Sequence, residues 1–235
     1  MSTEQHKSGF LCDSRVYLSG PMDFVASRAD EKLTGWRIRV KAFLQSFGVT
    51  VFDPWEKPAV RGLEEYGHED VNTANAKERW TFEDSSQASK ARTEIADRFW
   101  ETMHIDLRMV DISDFVIAYC PTNIYSVGTP HEIIVARNEH KPVLFVSPPV
   151  DFPALDQLHE HLSAREDAQG RRLLEELERQ VPIKRNPRGI PSLWYLPLVG
   201  GDRFFDGFGF ELYRDRFDWS HWPIDQNEAE RKLHR

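Results

Sequence analysis

Apolar positions along the chain form short runs set between longer stretches where they recur every three or four residues. Runs at 15–19, 50–52, 115–119 and 142–146 have the length and the β-branched and aromatic content of strands. Gly20-Pro21 stops the first, and Asp53-Pro54-Trp55 the second. Between 34 and 47, Trp36, Val40, Phe43, Leu44 and Phe47 keep a helical period, with Gly48 suited to the residue past the helix end. Between 93 and 110, Ile95, Phe99, Met103, Asp106 and Val110 share one helical face. Residues 130–139 read as a short helix joining the third and fourth strands.

Strand and helix therefore alternate through four strands, which predicts an α/β class with a mostly parallel sheet over residues 1–150. Residues 56–90 are charged, lack periodicity and read as a long insertion, lid or loop. Residues 1–13 read as a loose tail. Beyond Pro148-Pro149 the pattern changes. Residues 154–180 predict one long polar amphipathic helix, with Gly170 as a place to kink or split it. The aromatic, glycine-punctuated remainder completes a 151–235 extension packed on the domain or on a partner.

Composition narrows the class. A 235-residue chain of net charge −8 is poorly suited to holding a nucleic-acid polymer, which needs a surplus of cations. A small anionic ligand needs only a local donor cluster. The two cysteines, Cys12 and Cys120, have no CxxC or metal-ligand spacing, and the latter reads as core. The polar start, without an apolar signal region, and the lack of any long apolar run predict a cytoplasmic protein with no membrane span.

Candidate chemistry centres on Thr129-Pro-His-Glu132, after the third strand. The plain structural reading is a capping box, with Thr129 as N-cap, Pro130 at the first helical position and Glu132 reaching back. The functional reading uses the position itself, because ligands of parallel sheets bind where the strands' carboxyl ends open. Asp106 sits on an apolar stripe, where a carboxylate is either paired, with Arg108 or His104 at hand, or used. Asp106 and Glu132 flank one strand, and two carboxylates across a glycosidic bond are the equipment for its retaining cleavage. No GxGxxG follows the first strand, and no GxxxxGK[ST], GxSxG or HExxH is present. No metal or organic cofactor is expected.

Taken in order, Val16-Tyr-Leu-Ser-Gly-Pro21, Asp106-Leu107, Asp114-Phe-Val-Ile-Ala118, Gly128-Thr-Pro-His-Glu132 and Lys141-Pro-Val-Leu144 resemble the nucleoside 2-deoxyribosyltransferases and the related 2′-deoxynucleoside 5′-monophosphate N-glycosidases. The resemblance covers residues 15–147 apart from the insertion. It implies a flavodoxin-like, doubly wound sheet and a homo-oligomer whose neighbours complete each site. It also implies Glu132 as the nucleophile that forms a deoxyribosyl ester, and Asp106 as the group serving the departing base. Gly20, Pro21 and Met22 would line the site, Ser126 stands at the position that meets the sugar's 5′ group, and Asp23, Gly128 and Thr129 are further candidates for binding the substrate.

Two features leave the substrate's 5′ end open. Ser126 stands where transferases acting on free nucleosides often carry Asp and the monophosphate hydrolases carry serine. Asp23, in contrast, would oppose a phosphate, and Arg28 is the first basic residue of the loop. Asp53 and Trp55 are expected to wall the base, with Trp55 equally suited to core or rim. The expected ligand is a small nucleoside or nucleotide. Two alternatives stand beside this one: hydrolysis of another N-glycoside, such as a ribonucleotide or dinucleotide, and non-catalytic nucleotide binding with Glu132 a mere cap.

Overall fold

The computed structural model describes residues 9–56, 78–181, 185–192, 194, 195 and 198. The 57–77 part of the insertion, and Phe208 and Tyr213 of the C-terminal aromatic run, lie outside them. Chain order is β1 (Arg15–Ser19), α1 (Arg28–Thr34), α2 (Trp36–Ser46), β2 (Thr50–Phe52), α3 (Ser86–Ile112) and β3 (Phe115–Tyr119). There follow α4 (Gly128–Asn138), β4 (Val143–Val146), α5 (Pro153–Ala164) and α6 (Ala168–Gln180). The four strands form one all-parallel sheet in the order β2-β1-β3-β4.

Strand side chains alternate between two faces, and each face meets its own helices. Tyr17, Val116, Ala118, Val143 and Phe145 turn toward Met109 and Val110 of α3 and Ile133 and Ala136 of α4. Val16, Leu18, Ile117 and Val146 turn the other way, onto Trp36, Val40 and Leu44 of α2. A sheet covered on both sides is why the strands read as apolar runs. Each such side chain taken wholly out of water contributes about 1.5–3 kcal/mol.

Several boundaries differ from the sequence pattern. The predicted helix at 93–110 runs from Ser86 to Ile112, so 86–90, read as insertion, belongs to α3. Its start is fixed by Ser85, whose side chain accepts from the Ala88 N–H. The early turns of α3 are largely solvent-exposed, so their apolar stripe is faint. A short helix, α1, was not evident from periodicity; it buries no residue and is capped by Ser27. The predicted 154–180 helix is two helices, and the break lies at 165–167 rather than at Gly170. Glu166 takes a left-handed φ of 53°, and Asp167 caps α6 through the Gly170 N–H. Gly48 does follow α2 in the left-handed conformation, φ 82°.

Residues 9–13 are tied down rather than loose. The Asp13 N–H donates to Gly48 O at 3.2 Å, and Leu11 packs against the α2-side core. At the far end, Asn186 bridges Val150, and the ring of Tyr195 lies 5.0 Å from that of Phe145. The start of the C-terminal extension is thus packed on the sheet domain. Among the described residues no helix is long and apolar enough to cross a membrane.

Candidate active site

A cavity of about 270 Å³ opens where β1, β2 and β3 end, with one face of α3 as its far wall. This is the carboxyl edge of the parallel sheet, where loops are free to diverge. Gly20 leaves β1 under Trp36 and Tyr119. A Cβ there would come within 2.8 Å of the Trp36 ring and 3.2 Å of the Tyr119 carbonyl oxygen, so only glycine fits.

The capping-box expectation for Thr129 fails. Helix α4 starts at Gly128, two residues earlier than that motif requires, and its N-cap Val127 makes no side-chain cap bond. Thr129 is buried, and its hydroxyl lies 2.8 Å from that of Ser126. Glu132 therefore does not reach back to cap its helix. Its carboxylate points at β1, where the Tyr17 hydroxyl donates to Oε1 at 2.7 Å and the Ser19 hydroxyl donates to Oε2. Tyr17 and Ser19 are two apart on a strand, hence on one face, and both are wholly buried. Burial, followed by the negative charges of Glu132 and Asp106, pushes the Tyr17 phenol well above its ordinary pKa. It is a fixed proton donor to the carboxylate.

Asp106 lines the same cavity from α3, together with Phe99, Thr102, Met103 and Leu107. One of its carboxylate oxygens is buried. The stripe read from the sequence thus splits by position: Val110, one turn on, enters the core, whereas Phe99, Met103 and Asp106 face the cavity. Arg108, offered as a partner for Asp106, instead pairs with Asp111 at 2.9 Å.

Of the remaining sequence-derived residues, Gly20, Met22, Asp23, Trp55, Ser126, Gly128 and Thr129 all line the cavity. Pro21 and Asp53 do not. Their place is explained by Arg37, which is wholly buried beneath the end of β1. Its guanidinium donates to the carbonyls of Leu18 (3.1 Å), Gly20 (2.7 Å) and Pro21 (3.2 Å) and lies 3.8 Å from Asp53. Asp53 accepts from the Trp55 N–H at 2.9 Å. Burial raises the Asp53 pKa against the pull of that N–H and of Arg37, and burial lowers that of Arg37 against the field of Asp53. The pair holds the turn from below while Trp55 supplies the cavity wall. Sulfur chemistry is remote: Cys120 is buried and its thiol is pushed far up by desolvation.

Sequence reasoning left six wall or support residues out of the candidate site. Phe24 and Tyr125 meet edge-on at the rim, ring centroids 5.3 Å apart. Arg28 joins Asp23 at 2.9 Å, and the Lys32 ammonium stands 5.1 Å from the centre of the Trp55 ring. Both cations come from α1, which periodicity did not reveal. Tyr17 and Ser19 were legible only as polar groups on alternate positions of β1, in line with Arg15. Among the described residues, no group of three or more His, Cys, Asp or Glu side chains could hold a metal ion.

No family model, no curated protein and no solved structure matches this chain.

Proposed function

We propose that this protein cleaves the N-glycosidic bond of a 2′-deoxynucleoside or its 5′-monophosphate and passes the sugar to another base or to water. The observation that carries the reading is Glu132. It is a carboxylate on a cavity wall, oriented by two buried hydroxyls, with a second carboxylate, Asp106, on the opposite element. A carboxylate that merely capped α4 would have no need of two donors from β1.

In this reading one Glu132 oxygen bonds the anomeric carbon as the carbon–nitrogen bond breaks, and the electron pair leaves with the base. Asp106 gives that base a proton and later takes one from the incoming water or acceptor base. Trp55, Phe24 and Tyr125 offer flat apolar surface for the base. The reaction needs no metal or organic cofactor. Strand order β2-β1-β3-β4 with helices on both faces supports a flavodoxin-like arrangement. Exposed Phe82 (88%) and Trp100 (58%) support a homo-oligomer. Two unlinked cysteines suit a reducing cytoplasm.

The 5′-monophosphate is favoured over the free nucleoside. Asp23, which alone would repel a phosphate, is met by Arg28, and Lys32 adds a further cation to the same wall. The test is a base-release assay on deoxynucleosides, ribonucleosides and their monophosphates, each with and without a second base. Intact-mass detection of a deoxyribosyl adduct accompanies it. Release and an adduct that both vanish in Glu132→Ala are expected. Equal turnover of ribose substrates favours the broader N-glycosidase reading. Ligand-induced stabilisation with no cleavage of any substrate returns the protein to a binding module.

A further inference from the structure

We infer that Ser19 is a positioning residue for Glu132, acting chiefly when the glutamate is released from its sugar ester. The inference rests on the proposed glycosyl-enzyme chemistry. It starts from strand geometry. Tyr17 and Ser19 occupy alternate positions of β1, so both project toward α4. Their hydroxyls take one carboxylate oxygen each, Tyr17 on Oε1 and Ser19 on Oε2. Ser19 is wholly buried at the last position of β1, directly before the Gly20 turn that Arg37 clamps. The carboxylate is therefore gripped from a rigid element on both oxygens.

The electronic consequence is unequal for the two half-reactions. A donor stabilises a full carboxylate charge more than an ester oxygen. In the first half-reaction the charge on Glu132 is spent as the carbon–oxygen bond forms, so the donors favour the starting carboxylate. In the second, water or a base nitrogen bonds the anomeric carbon, the carbon–oxygen bond breaks, and its electron pair returns to Glu132. The acceptor's proton goes to Asp106. The Ser19 hydroxyl keeps its own proton throughout and meets the charge as it reappears. Removing it slows release of the ester more than its formation.

The experiment uses the full chain and a 2′-deoxynucleoside 5′-monophosphate, with wild type, Ser19→Ala and Ser19→Cys compared side by side. Adduct on wild-type Glu132 is established first, and its absence with every substrate overturns the underlying reading rather than the role of Ser19 alone. Given wild-type adduct, Ser19→Ala is expected to lower kcat and KM together by about tenfold, the worth of one hydrogen bond to a charged group, with kcat/KM little changed. The steady-state adduct fraction, read by intact mass, rises. Ser19→Cys, near in size with a weak S–H donor, falls between. Wild-type kinetics in Ser19→Ala overturn the inference. So does a fall in kcat/KM and melting temperature with no gain in adduct, the mark of a merely structural hydroxyl.

Discussion

The Tyr17 hydroxyl donates to Glu132 Oε1 across 2.7 Å, joining two residues 115 positions apart in the chain. The contact fixes the direction of a carboxylate that its own helix leaves uncommitted, because the α4 N-cap Val127 offers no side-chain bond and Glu132 makes no reciprocal capping contact. Local sequence allowed the carboxylate to fold back on its own helix. Packing of α4 across β1 turned it into the cavity.

Protonation of Tyr17 gives a pH prediction. Its phenol pKa is raised by burial and by the charges of Glu132 and Asp106. An unfolded chain releases that proton near pH ~10, whereas the folded chain holds it to higher pH. Above that point the unfolded state binds fewer protons, so stability falls as pH rises. The contribution is whole below the unfolded pKa and is lost as pH climbs through the folded one. Urea unfolding between neutral and strongly alkaline pH should show a steeper decline for wild type than for Tyr17→Phe. Parallel slopes would contradict this assignment.

Asp106 should matter in proportion to how much the leaving base needs a proton. Asp106→Asn is expected to slow release of an ordinary base by about 10²–10⁴-fold. An N7-methylated purine departs neutral without protonation, so its release should be far less affected. An equal loss on both leaving groups would limit Asp106 to binding.

Arg37 has no contact with the cavity and should nevertheless be among the costliest side chains to change. Arg37→Met removes donors to three carbonyls and leaves Asp53 buried without its cation. The expected loss is about 3–5 kcal/mol in denaturant unfolding. Arg37→Met with Asp53→Leu should recover part of it, because the unpaired charge goes too. A single variant as stable as wild type would mean the turn is held by other forces.

Lys32 separates nucleotide from nucleoside. Lys32 lines the cavity with its ammonium over Trp55, on the same wall as the Arg28–Asp23 pair. Lys32→Gln should raise KM for 5′-monophosphates about tenfold, as expected for one bond to a charged group, and leave KM for free nucleosides nearly unchanged. Matching shifts in both would tie Lys32 to the base rather than to the phosphate.

The chain's own pattern determined a good deal. Four apolar runs and the helical periods between them predicted an α/β domain, and four parallel strands with helices on both faces are present. Local signals failed where they competed. Thr129-Pro-His-Glu132 carries every residue of a capping box, but Thr129 is buried against Ser126 and Glu132 bonds β1 instead. Gly170 was the visible weak point of the 154–180 helix, but Asp167 is the stronger stop because it caps the next helix. Asp53, set beside Trp55 in sequence, turns inward because a buried guanidinium needs an anion within reach.

What the sequence by itself determined was the period of each element, since that follows from local alternation of apolar and polar groups. Only the tertiary structure decided which polar groups meet. Tyr17, Ser19 and Glu132 converge because β1 lies beside β3 in the sheet, with α4 packed across β1. No local rule couples residues more than a hundred positions apart. Burial does, because a carboxylate leaving water must find donors wherever the fold brings them.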